Sequence, residues 1–138
     1  MADITIAVTS VAAATGAKLG QGTAGGTILQ GEPLYLNSSS QYLRADANVS
    51  ETTATVVGIS LNAASSGQPI DFISKGTLTV SGAGPLTVGE IYLLSTTVGR
   101  IAPEADINTS NDWVTVLGVA LTSNTLKVNI IVSGAQIP

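Results

Sequence analysis

The chain has no cysteine and no histidine among its 138 residues. The first absence excludes disulfides and zinc–thiolate sites and leaves the redox compartment undetermined. The second removes the commonest general base near neutral pH, the usual partner of a nucleophilic serine and the commonest metal ligand. Charge is scarce as well: Asp, Glu, Lys and Arg make up 10% of the chain, against about 25% in ordinary soluble domains. Ser, Thr, Asn, Gly and Ala take their place, and a surface of that kind is cheap to cover with other protein because little charge has to be desolvated.

The five basic residues, Lys18, Arg44, Lys75, Arg100 and Lys127, are scattered, and the net charge is −4. That excludes the clustered cations of a nucleic-acid surface and a polybasic membrane patch. No apolar run approaches the roughly 18 residues a membrane helix needs. The opening "MADITIAVTSVAAATGA" carries Asp3 where a secretion signal has a positive region, so the chain is expected to be soluble and unprocessed.

What is present is β-prone. Ile4, Ile6 and Val8 alternate with Thr5, Ala7 and Thr9, the period of a strand with one covered face. The Ala- and Gly-rich stretch from Val11 to Thr27 then suggests an extended arm over residues 1–27. Short runs follow at Leu34–Leu36, Tyr42–Arg44, Thr55–Leu61, Ile70–Ser74, Thr77–Val80, Ile91–Leu94, Val114–Leu121 and Leu126–Val132. Clusters such as "NSSSQ", "AASSGQP" and "TSN" supply the turns between them.

The strongest internal signal is a duplication. "ADANVSETTATVVGISLN" at Ala45–Asn62 aligns without gaps to "ADINTSNDWVTVLGVALT" at Ala105–Thr122, an offset of 60. "GEPLYLN" from Gly31 echoes "GEIYLLS" from Gly89, and "DFISKG" from Asp71 echoes "NIIVSG" from Asn129. The expected architecture is all-β: a single small barrel or sandwich over residues 28–138, built from units at about 28–85 and 86–138 that share one core, with the arm in front. Tyr35 and Tyr92 stand one position out of register, which would put them on opposite strand faces unless an irregularity at Pro33 restores them.

Candidate chemistry is thin. Asp46/Asp106 and Glu32/Glu90 occupy equivalent positions, as duplication alone produces. "DANVS" and "DINTS" begin like calcium loops, but Glu51 and Asn111 stand where the loop glycine belongs and Val57 and Leu117 where the bidentate glutamate belongs. The expected structure there is an Asx turn. The Asn-X-Ser triplets at Asn37, Asn48 and Asn108 have no route to glycosylation without a signal peptide. The glycines form no phosphate cradle, and Tyr35, Tyr42, Phe72, Tyr92 and Trp113 are too few for a base-stacking platform. Trp113, between a polar turn and an apolar strand, suits the rim of the core, with a sugar or protein contact as its functional alternatives. No enzyme, cofactor, metal, nucleic-acid or membrane role is expected, and the interaction candidates are Ile4, Ile6, Val8 and Trp113.

The phrases "GTILQGEPLYLN", "RADANVSETTATVVGISLNAASSGQPIDFISKGTLTV", "GEIYLLS" and "RIAPEADINTSNDWVTVLGVAL", behind a low-charge arm, resemble the small phage proteins known as capsid cement or head decoration proteins. The resemblance covers nearly the full length and lies in layout and phrase, not in a catalytic motif. It implies a structural virion protein, made in the host cytoplasm, that binds the major capsid protein on the outer face of a mature capsid. It further implies an oligomer, often a homotrimer at three-fold or quasi-three-fold positions, that reinforces the shell. A glycan-binding β-module of a phage tail or fibre is the alternative that shares this composition.

Overall fold

A computed structural model describes residues 11–80 and 86–138, and the protein is all-β. Ten strands are formed among the described residues: β1 (Val11–Ala13), β2 (Lys18–Ala24), β3 (Pro33–Leu36), β4 (Gln41–Arg44), β5 (Gly58–Ser60), β6 (Pro69–Val80), β7 (Ile91–Leu94), β8 (Ile101–Pro103), β9 (Trp113–Ala120) and β10 (Thr125–Gln136). Among the described residues one 3-10 turn is formed, at Glu104–Asp106.

The duplication is visible in the pairing. In the first unit β3 pairs with β4 and β5, and β5 pairs with β6. In the second, β7 pairs with β8 and β9, and β9 pairs with β10. Leu34 faces Gly58 and Arg44 across its neighbours, as Tyr92 faces Gly118 and Pro103. Gly31 and Gly89 enter β3 and β7 at φ +79° and +84°, a conformation that side chains resist and that explains a glycine in each copy.

β2 closes the first unit into a ring. It lies antiparallel to the first half of β6 and parallel to β4, so β2, β4, β3, β5 and β6 form a small barrel. Inside are Ala24, Ile28, Leu34, Ala64, Ile70 and Phe72, with Tyr42 packed against them. The segment expected as an arm is therefore corrected from Val11 to Ala24: β1 and β2 both pair along β6 and belong to the sheet. Burial of Ala24 and the closure of the barrel repay the backbone entropy that its small residues otherwise favour keeping. Residues 1–10 lie outside the described residues.

The second half of β6 leaves this barrel and pairs with β10, Leu78 opposite Leu126. Here a larger core forms, to which both units contribute: Ile59 and Ile73 from the first meet Tyr92, Leu94, Ile101, Leu117, Leu126 and Val128 from the second. Tyr35 and Tyr92 both pack on it. They reach it from opposite faces of their repeats, with no irregularity at Pro33 needed: Leu34, the equivalent of Tyr92, points into the small barrel, and Leu93, the equivalent of Tyr35, into a separate cluster of the second unit.

The aligned segments differ in one respect. Gly58–Ser60 and Gly118–Ala120 are both strand, but residues 53–57 are turn and irregular backbone where the aligned residues 113–117 extend β9. The first copy buries Ala45, Ala47, Ala54 and Val56 against the second unit in place of strand pairing. Its backbone is tied across: Gly99 N–H donates to the Ala45 carbonyl at 2.8 Å and Trp113 N–H to that of Ala47 at 2.8 Å. The buried Thr115 hydroxyl donates to the Ala54 carbonyl at 2.6 Å. Thr115→Val is expected to lower stability by about 1 kcal/mol, the net worth of a typical buried hydrogen bond, measurable by urea denaturation.

Candidate interaction surface

β9 is largely apolar on both faces, and the outward face of β10 carries Ile131 beside Lys127 and Asn129. Leu117, Leu126 and Val128 point into the shared core, while Val116, Val119 and Ile131 point the other way. Near-continuous apolar runs are typical of strands that are covered on both sides. Between these outward residues runs a groove of about 380 Å³, lined by Ile91, Val116, Val119, Lys127, Asn129 and Ile131, with Gly118 in its floor. Beside it Leu93, Ala102 and Ile107 make a small cluster with Val114, Val116 and Ile137. The groove is open, and Lys127 is the charged side chain on its wall.

Among the candidates named from the sequence, Ile4, Ile6 and Val8 lie outside the described residues. Trp113 is the first residue of β9, half-buried against the shared core. The groove residues were not among those candidates. Their signal was present in "VTVLGVAL", whose two alternating phases are both mostly apolar, and in the unbroken apolar run Ile130, Ile131 and Val132.

Three of the acidic residues, Glu32, Asp46 and Asp112, are buried or partly buried. Glu32 is buried; it accepts the Leu29 N–H at 2.7 Å and stands 3.7 Å from the Arg44 guanidinium. Burial pushes its pKa above the ordinary range, against the opposing pull of the Leu29 N–H, Arg44 and Arg100. Asp46 is raised too, first by burial and further by the charge of Asp112, while the N–H groups of Asn48 and Ala47 oppose. The acceptor bond from Asn48 N–H to Asp46 Oδ1, at 3.2 Å, makes the expected Asx turn. Asp112 is buried, and its Oδ2 has no hydrogen-bond partner among the described residues. No three acidic side chains converge at one point among the described residues.

Raised carboxyl values mean that the folded state holds these protons more tightly than the unfolded one. The corresponding stabilisation is complete below the unfolded pKa and is lost as pH rises through the raised one. Glu32→Gln combined with Asp46→Asn keeps both acceptor oxygens but cannot ionise. The variant is expected to lose less stability than the parent between about pH 4 and pH 8, a range that starts near ordinary carboxylate values. Thermal melts at the two pH values check this; an unchanged pH dependence would show that the two groups ionise without cost.

Comparison with models of known protein families and with curated proteins finds no match to this chain. No helix among the described residues is long and apolar enough to cross a membrane.

Proposed function

We propose that this chain is a structural protein of a phage particle, an oligomeric cement or decoration subunit that binds the major capsid protein on the outside of the shell. The observation that carries the proposal is an open apolar groove on a chain of low charge. Ile91, Val119 and Ile131 remain exposed on a sheet whose other face is fully packed, and an apolar patch of this kind marks a surface that other protein covers. The sequence's resemblance to decoration proteins supplies the identity of the partner.

Attachment to a symmetric shell suits an oligomer assembled through such a surface. An oligomer seated on a matching symmetry axis repeats one modest contact several times, so its avidity can exceed that of one subunit by about 10²–10⁴. No step of this role needs an acid, a base or a metal.

The test is co-sedimentation of the purified protein with undecorated shells of the phage that encodes it, followed by electron cryo-microscopy. Saturable binding at a fixed lattice position is expected. Shells that pellet without the protein, together with binding of an isolated glycan, would overturn the reading in favour of a tail or fibre module.

A further inference from the structure

The two units are arranged head to tail, and this sets the groove's meaning. In the first unit Pro33, Ile59 and Ile73 form one outward patch, since Pro33 pairs with Ile59 and Ile59 with Ile73. The duplication maps these onto Ile91, Val119 and Ile131, which line the groove. Ile59 and Ile73 are each 0% exposed because the second unit covers them, whereas Val119 is 37% and Ile131 55% exposed. The groove is thus the same face of the repeat, buried in the first copy and open in the second. A face that one copy buries head to tail within the chain is suited to a further heterologous contact between chains.

We propose that the groove receives the N-terminal segment, residues 3–9, of a second copy of this chain. Ile4, Ile6 and Val8 recur at a spacing of two in the sequence, so a segment bound there as a strand would turn one continuous apolar edge to Ile91, Val119 and Ile131. Charge agrees with this: Asp3 is the one charged side chain before Lys18, and Lys127 is the charged side chain on the groove wall. The ten residues ahead of β1 span roughly 33 Å when extended, at about 3.3 Å per residue, enough to bridge to a neighbour. This deepens the oligomeric part of the proposed function and rests on it.

The experiment uses full-length chains that each lack one half of the contact. One carries Ile4→Ser, Ile6→Ser and Val8→Ser; the other carries Ile131→Asp in the groove. Sedimentation velocity is run on the parent, on each variant and on an equimolar mixture, with Trp113 fluorescence confirming that all are folded. The parent is expected to form an oligomer and each variant to associate about tenfold or more weakly. The mixture should recover a one-to-one dimer, because the intact N-terminal segment of the groove variant meets the intact groove of the other.

If the serine variant assembles as well as the parent, the segment is not the occupant and the inference fails, while an oligomeric decoration protein still stands. A parent that stays monomeric, with residues 3–9 protected from hydrogen exchange, places the segment in its own chain's groove and also overturns it. Binding to shells is measured separately: a parent that assembles through this contact yet binds no shell refutes the decoration reading alone.

Discussion

Replacing Gly118 with alanine is expected to cost far more stability than any other single methyl group added to the sheet. Gly118 lies in the middle of β9, opposite Tyr92 on β7 and Val128 on β10. A Cβ there would collide with the Lys127 carbonyl oxygen and stand 2.9 Å from its carbon and 3.2 Å from the Val128 Cα. All three atoms are backbone, so no side-chain rotation relieves the contact; β9 and β10 must separate, and their ladder opens with them. Overpacking typically costs about 1–3 kcal/mol, and a contact that only the backbone can relieve belongs at or beyond the top of that range. Against a typical stability of about 5–15 kcal/mol, the variant should show a large fall in its urea midpoint. Gly16→Ala is the comparison: its Cβ meets nothing within 4 Å, and only its φ of +87° is unfavourable. That strain is worth about 1–2 kcal/mol. Equal midpoints for the two variants would mean that β9 and β10 do not approach as closely as described.

Most strands were legible because alternation and turn residues mark them locally. Ile91–Leu94 coincides with β7, and Leu34–Leu36, Tyr42–Arg44 and Val114–Leu121 fall within a residue of β3, β4 and β9. The expected strands Ile70–Ser74 and Thr77–Val80 are one continuous strand, β6, which passes through Gly76 at φ +121° as it leaves one core for the other. A glycine in a strand pattern looks like a break, yet here it is where the Cβ would press on Ala17 of the adjoining segment. β8 was not anticipated: Ile101–Pro103 is three residues long and ends in proline, too short for a period to show.

The missed barrel strand, β2, has a physical explanation of the same kind. "KLGQGTA" has little to bury because what covers it comes from elsewhere. A Cβ on Gly20 would stand 2.5 Å from the Phe72 ring, and one on Gly22 would clash with the Tyr42 ring. The glycines of β2 are the floor on which two distant aromatics lie, a relation that no window of local sequence contains. The groove was missed for the complementary reason. Its apolar positions sit in strands already assigned to the core, and only the exposure of the second copy beside the burial of the first separates the two faces.

Phe72→Ala is expected to destabilise the whole chain in one transition. The ring is 7% exposed, fills the small barrel over Gly20 and Gly58, and stacks on Tyr42 with centroids 4.9 Å apart at a 45° tilt. Removing a buried phenylalanine side chain typically costs about 3–5 kcal/mol, a large share of a typical domain's stability. The small barrel does not stand apart, because β6 carries Ile70 and Phe72 into it and Leu78 and Val80 into the shared core. β5 likewise gives Ile59 to the shared core while its ladder closes the barrel. Opening the first unit therefore uncovers the floor of the second. Trp113, the single tryptophan, stands on β9 of the second unit against the shared core, and so reports the junction of the units, away from the small barrel. Its fluorescence and the far-ultraviolet circular dichroism should lose their native values at one common urea concentration, shifted together in the variant. If the dichroism falls in two steps and Trp113 keeps its original midpoint, the two units unfold independently and the long strand β6 does not couple them.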